Sequence, residues 1–255
     1  MTQTPPIEIT IVAARRPTLL ARTLESFHAN LFRHFQISRA LINIDPVWGS
    51  QKDSDDCAAL IKNYFPNPAI FRPETAGFAA AVKRVWTNSK ADFIFHIEDD
   101  WVLNEEITPA ILGHFNDPSI AQVSLVSREK NWDRARRGDF HFVKRRSILF
   151  GAIKIPFRKK VPAFTTSPAF TRGDFARKWA SLMDEKLDPE KQAYMGINPL
   201  LEKFVRPFRN YLYPGKVNEI TIADTGREWR ESQNIEKKII DGKSVWTTNS
   251  GKTSD

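Results

Sequence analysis

Apolar residues in the first half of the chain switch repeatedly between the rhythm of a strand and the rhythm of a helix, and that alternation leaves few folds open. Ile7 to Ala13 reads as a strand with Ile7, Ile9 and Ile11 on one face. Thr18 to Leu31 follows with Leu20, Leu24, Phe27 and Leu31 at helical spacing, behind Pro17, a residue suited to a first helical turn. Ala40 to Asp45 is a second strand, and Ser54 can cap a helix with Cys57, Leu60, Ile61 and Tyr64 on one side. A short strand at Ala69 to Arg72 precedes a helix from Gly77 to about Asn88. Phe93 to Ile97 is a compact apolar run, the pattern of a central strand covered on both faces. Thr108-Pro109 opens another short helix, and Ile120 to Ser127 is a fifth strand. Repeated βα units predict an α/β fold with a mostly parallel sheet and helices on both of its faces. Ligands of such sheets sit at the carboxyl ends of the strands, here Ala13 to Arg16, Asp45, Arg72 to Gly77 and Glu98 to Trp101.

The second half differs. Between Arg128 and Lys178 there are 15 Lys/Arg against 4 Asp/Glu, a local charge of +11, while the whole chain carries +8. The basic character thus belongs to one segment, which suits an anionic acceptor, an anionic lipid surface, nucleic acid or simply solvent. His141 to Ile155 reads as a basic hairpin, Ala163 to Phe170 as strand-like, Asp174 to Met183 as a helix. Asn198-Pro199 caps and starts a helix through Val205, and Val217 to Ala223 is a last strand. One domain over 1–233 is expected, with a half to about 127, a basic half over 128–233 and a polar tail over 234–255. The single cysteine, Cys57, permits no intramolecular disulfide and fits a reducing compartment. The opening MTQTPPIEITIV has no secretory pattern, so the cytosol is the expected location, with contact at the inner membrane face compatible with the basic segment.

Glu98-Asp99-Asp100 stands directly behind the buried run FIFHI. Three carboxylates at the mouth of a sheet repel one another unless a cation or donor groups neutralise them. Hard oxygen ligands beside a ligand-binding edge suit Mn²⁺ or Mg²⁺. Continued strand geometry would turn Glu98 and Asp100 one way and Asp99 the other. A solvated acidic turn is the plain alternative.

With that triplet the chain resembles the GT-A glycosyltransferases, particularly the inverting family 2, whose D-x-D-like signature ends the fourth strand. ITIVAARRPTLLARTLESF resembles the family's first strand, Arg-Pro loop and helix, and Asp45 stands where the family holds the nucleoside. Thr75-Ala76-Gly77, followed by Ala81 and Lys83, stands where N-x-G is common, with Thr75 and Lys83 departing from the pattern. The resemblance implies a nucleoside-diphosphate sugar donor held by Ala13, Arg15, Asp45, Gly77, Lys83, Glu98, Asp99 and Arg227, and a metal on Asp100 and Asp224. Arg15, Arg16 and Lys83 would add positive charge for the leaving group. An inverting reaction needs a carboxylate to deprotonate the acceptor hydroxyl. Glu190 in the loop Asp188-Pro189-Glu190 is the first choice, and Glu202 the second, although Glu202 also favours its own helix N-terminus. The acceptor, a glycan, a lipid-linked sugar or a protein, is expected along Phe140 to Phe170, where aromatic and basic residues alternate. His96 reads as a core histidine. Three rivals remain at this point, a sugar-nucleotide nucleotidyltransferase, a basic nucleic-acid-binding module and an inactive relative that only binds sugars. AARRPT lacks the glycine-rich loop of the first, and the second leaves the acidic triplet without a purpose.

Overall fold

The computed structural model describes residues 5–127, 132–146, 158–216, 220–240 and 243–248. The first half runs β1 (Ile7–Ala13), α1 (Pro17–Asn30), β2 (Ile37–Ile44), α2 (Gln51–Tyr64), β3 (Ala69–Phe71), α3 (Phe78–Thr87), β4 (Phe93–Glu98), β5 (Trp101–Leu103), a 3₁₀ helix at Pro109–Asn116 and β6 (Ile120–Leu125). α4 (Arg134–Arg137), β7 (Phe142–Arg146), β8 (Arg158–Pro162), β9 (Ala169–Arg172), α5 (Gly173–Leu182), α6 (Pro199–Val205) and β10 (Arg209–Tyr213) follow. The chain continues through β11 (Ile222–Asp224), α7 (Gly226–Ser232), β12 (Ile235–Ile240) and β13 (Lys243–Thr248).

Among the described residues the central sheet has seven strands in the order β10-β6-β9-β4-β1-β2-β3. Only β9 opposes its neighbours, pairing antiparallel with both β4 and β6. The expected parallel core is therefore present, with β1 between β2 and β4 in parallel register. β1 is buried along its whole length, which is why its sequence is almost continuously apolar. On one face Leu20, Leu24 and Phe27 of α1 join Cys57 and Ile61 of α2 over Ile9, Ile11 and Ile42. On the other, Val82, Val85 and Trp86 of α3 meet Ala176 and Trp179 of α5 over Val12, Leu41 and Ile94. Trp86 and Trp179 are fully buried and meet edge-to-face with ring centroids 5.4 Å apart. Such a pair adds roughly 0.5–1.5 kcal/mol beyond its area burial.

Several boundaries shift from the sequence reading for local reasons. α2 starts a turn earlier because Ser50 and Asp53 form a capping box, so Ser50 and not Ser54 is the cap. The hairpin expected over His141 to Ile155 pairs β7 with β8, from Phe142↔Pro162 to Arg146↔Arg158; residues 147–157 lie outside the described residues. β9 begins at Ala169, later than expected, and Phe164 and Phe170 are core side chains and not acceptor platforms. Phe150 and Phe157 lie outside the described residues. Part of the expected last strand, 217–219, does too, while β11 extends to Asp224 and pairs antiparallel with β5. The stretch read as a tail carries the β12–β13 hairpin. No described helix is long and apolar enough to cross a membrane.

Candidate functional site

The parallel strands deliver their carboxyl ends to one edge, and the loops there lock together. Asp45 donates its backbone N–H to Ala13 and Arg15 donates its own to Val47, so the 14–16 and 45–49 loops run side by side. They approach so closely that a Cβ on Gly49 would stand 2.2 Å from the Arg15 carbonyl oxygen, and only glycine fits. A cavity of about 880 Å³ opens against these loops, lined also by Gly77, the acidic triplet, Thr166, Ser167, the 185–191 loop, Asp224 and Arg230.

The triplet does not continue as a strand. The chain turns at Asp99-Asp100 before β5, so both aspartates face the same guanidinium and the expected alternation is lost. Asp99 takes Arg16 in a fork, Nη2 to Oδ1 at 2.5 Å and Nε to Oδ2 at 3.2 Å, and accepts the Ala14 N–H at 2.9 Å. Arg16 Nη2 also reaches Asp100 Oδ2 at 3.2 Å. From the far end of the chain, Arg230 approaches Asp100 Oδ2 at 3.6 Å and Asp224 Oδ2 at 3.5 Å. Thr225 donates its N–H and its hydroxyl to the Asp100 carbonyl, which fixes α7 beside the triplet. Gly226 is required there, since a Cβ would stand 2.0 Å from Asp100 Oδ2. Trp48 and Trp229 flank Arg16 with ring centroids 4.9 and 5.0 Å from its guanidinium carbon. Burial opposes the charge of Arg16, but Asp99 and Asp100 outweigh it and raise its pKa. Burial, with Asp99 adding to it, raises the Asp100 carboxyl above the usual range against the pull of Arg16. Asp45 is likewise raised by burial, although Gly77 N–H and Asn43 Nδ2 donate to it at 3.0 and 2.7 Å.

On the 185–191 loop Glu190 is held by neutral donors. Its Oε1 accepts from Thr165 Oγ1 at 2.7 Å, Thr166 N at 2.8 Å and Thr166 Oγ1 at 3.2 Å. Its Oε2 lies 4.0 Å from Lys191 Nζ. Asp188 Oδ1 accepts from the backbone N–H groups of Glu190 and Lys191, setting the turn that aims them. Burial opposes the charge of Lys191, and Glu190, Tyr194 and Asp188 overcome it, so its pKa is raised.

Of the residues expected at the site, Ala13, Asp45, Gly77, Glu98, Asp99, Asp100, Glu190 and Asp224 line this one cavity. Four others lie outside its lining. Arg15 bonds Gln51 on α2, and Lys83 ties α3 to the Met183 carbonyl and Glu185. Glu202 is engaged by Arg145 at 2.8 and 3.0 Å, which pins β7 to α6. Arg227 has its backbone N–H capped by Asp224 Oδ1. Trp48, Asp188, Thr166 and Arg230 line the cavity without having been singled out, and only the positive φ of Trp48, 60°, gives a backbone mark of its role. His96 is a core residue as expected, taking Thr10 Oγ1 and Trp86 Nε1 on its Nδ1.

Comparison with solved structures shows the fold. Mannosyltransferase PcManGT from Pyrobaculum calidifontis, solved with GDP-Man and Mn²⁺, superposes with a TM-score of 0.58 at 11% identity, over 88% of this chain and 58% of that one. GalNAc-T7, solved with UDP, GalNAc and Mn²⁺, gives 0.53 at 12% identity, over 84% and 45%. S. aureus TarS gives 0.50 at 10% identity, over 90% and 38%. The chain has the fold of the GT-A glycosyltransferases. It spans about two fifths to three fifths of the length of these neighbours. No family model and no curated protein matches its sequence.

The carboxylates implied for a divalent ion do not suit one as they stand. Asp100 Oδ2 and Asp224 Oδ2 converge on Arg230, and Asp100 is also held by Arg16 and packed on Gly226. An ion seated on both oxygens would lie about 4 Å from the guanidinium, where each added unit of like charge costs on the order of 4 kcal/mol at an effective dielectric near 20. Mg²⁺ also keeps several waters, and Asp100 is only 5% exposed. Among the described residues no three His, Cys, Asp or Glu side chains are grouped so as to hold a metal.

Proposed function

We propose that the chain transfers a glycosyl group from a nucleoside-diphosphate sugar to an acceptor hydroxyl, with inversion. The observation that carries this reading is the shared cavity, which holds Ala13, Asp45, Gly77 and the triplet together with Glu190. In the reading, Asp45 and the Gly77 turn take the nucleoside, and the diphosphate lies beside Arg16 and the triplet. The acceptor enters along the 185–191 loop, where Glu190 removes its hydroxyl proton as the glycosidic bond to the diphosphate breaks. Thr165 and Thr166 hold that carboxylate in one orientation, so the base is positioned before the acceptor arrives. The two neighbours solved with Mn²⁺ motivate a test for a divalent ion, but no step here depends on one. The basic hairpin β7–β8, pinned to α6 through Arg145, suits an anionic acceptor.

Thermal unfolding against UDP, GDP and CDP with their sugar conjugates tests the donor. Saturation at about a hundredfold over Kd is expected to raise Tm by on the order of 5–10 °C for one base. Shifts with oligonucleotides alone would favour the nucleic-acid reading instead.

A further inference from the structure

Two guanidinium groups, those of Arg16 and Arg230, stand among the carboxylates of Asp99, Asp100 and Asp224. Arg16 is 7% exposed and lines the cavity, and its Nη1 is buried without a hydrogen-bond partner, although Nε and Nη2 are fully used on Asp99 and Asp100. Trp101, also 7% exposed and also in the lining, leaves its indole Nε1 unpartnered in the same way. Both atoms are donors only, so the group that completes the site is an acceptor. A buried guanidinium N–H is costly to leave unmet, and phosphate oxygens match its planar fork. Arg230 brings a second guanidinium to the same place, shared between Asp100 and Asp224.

Resting on the transferase reading, we infer that the diphosphate is bound through N–H groups of Arg16, Trp101 and Arg230, and that this binding does not require a divalent ion. Asp99, Asp100 and Asp224 are then positioning residues that hold two guanidinium groups in a fixed array. As the bond from the anomeric carbon to the diphosphate oxygen breaks, its electron pair stays on that oxygen beside Arg16 and Arg230, and the acceptor oxygen bonds the same carbon.

Calorimetric titration of the full chain with UDP, GDP and CDP, in excess EDTA and again in Mn²⁺, tests this. The expected result is one nucleotide whose Kd changes less than about threefold between the two conditions, the scale of a small perturbation. Arg230→Gln, whose side chain is partly exposed and can be lost without emptying the core, is expected to weaken that binding by roughly tenfold or more. Arg16→Lys keeps the charge but loses the fork and is expected to weaken it as well. Binding that needs Mn²⁺, or an Arg230→Gln variant that binds as tightly as the parent, would overturn the inference while leaving the transferase standing. Absence of nucleotide binding in both conditions would overturn both.

Discussion

Two carboxylate arrays line the same cavity and are neutralised in opposite ways. Asp99, Asp100 and Asp224 are met by Arg16 and Arg230, charge against charge, with tryptophan rings closing the sides. Glu190 accepts from two hydroxyls and a backbone N–H, with Lys191 Nζ 4.0 Å away. Carboxylates locked to guanidinium groups are held as a scaffold by charge-assisted bonds. Glu190 is instead oriented by those neutral donors on one of its oxygens. On the proposed transferase reading, the first array is the positioning one and Glu190 is the candidate base.

The largest effect should come from Glu190→Gln, which keeps the hydrogen bonds of the threonines but removes the base. Turnover is expected to fall about 10²- to 10⁴-fold with nucleotide affinity unchanged. Equal loss of both would erase the distinction between the arrays. Gly226→Ala drives a Cβ into Asp100 Oδ2, and the strain of such overpacking is about 1–3 kcal/mol. Chemical denaturation should show that loss, and nucleotide affinity should fall with it.

A pH effect separates the cavity from the core beneath it. Burial lowers the His96 pKa to about 3. The unfolded chain takes up that proton below pH 6.5 while the folded chain does not, so stability falls by about 1.4 kcal/mol per pH unit between 6.5 and 3. Replacing His96 with Gln should flatten this contribution in denaturation curves taken across the window. The smallest effect is expected of Glu202→Gln. Its partner Arg145 is 43% exposed, so the pair contributes no more than about 1 kcal/mol, and turnover should stay within twofold. A loss of turnover matching Glu190→Gln would move the base to α6.

Ala13, Asp45, Gly77 and the triplet were legible as strand ends, because periodicity reveals strands and the carboxyl-edge rule does the rest. Glu190 was legible only as an acid in a loop near a helix end; its threonine clamp joins residues 24 and 25 positions apart, which no period encodes. Lys83 and Glu202 looked functional because charge near a site cannot be told from charge that fastens elements together. Both fasten: one binds α3 to the loop after α5, the other takes β7.

The sequence by itself determined the alternating βα order, the parallel sheet and the edge on which the candidate site residues gather, since these follow from local rhythm and sheet geometry. Tertiary structure alone decided what the acidic triplet does. Asp100 meets Arg16 across 84 positions, and Arg230 reaches it from the end of the fold, so the balance of carboxylate against guanidinium exists only once β1, β4 and α7 share one edge.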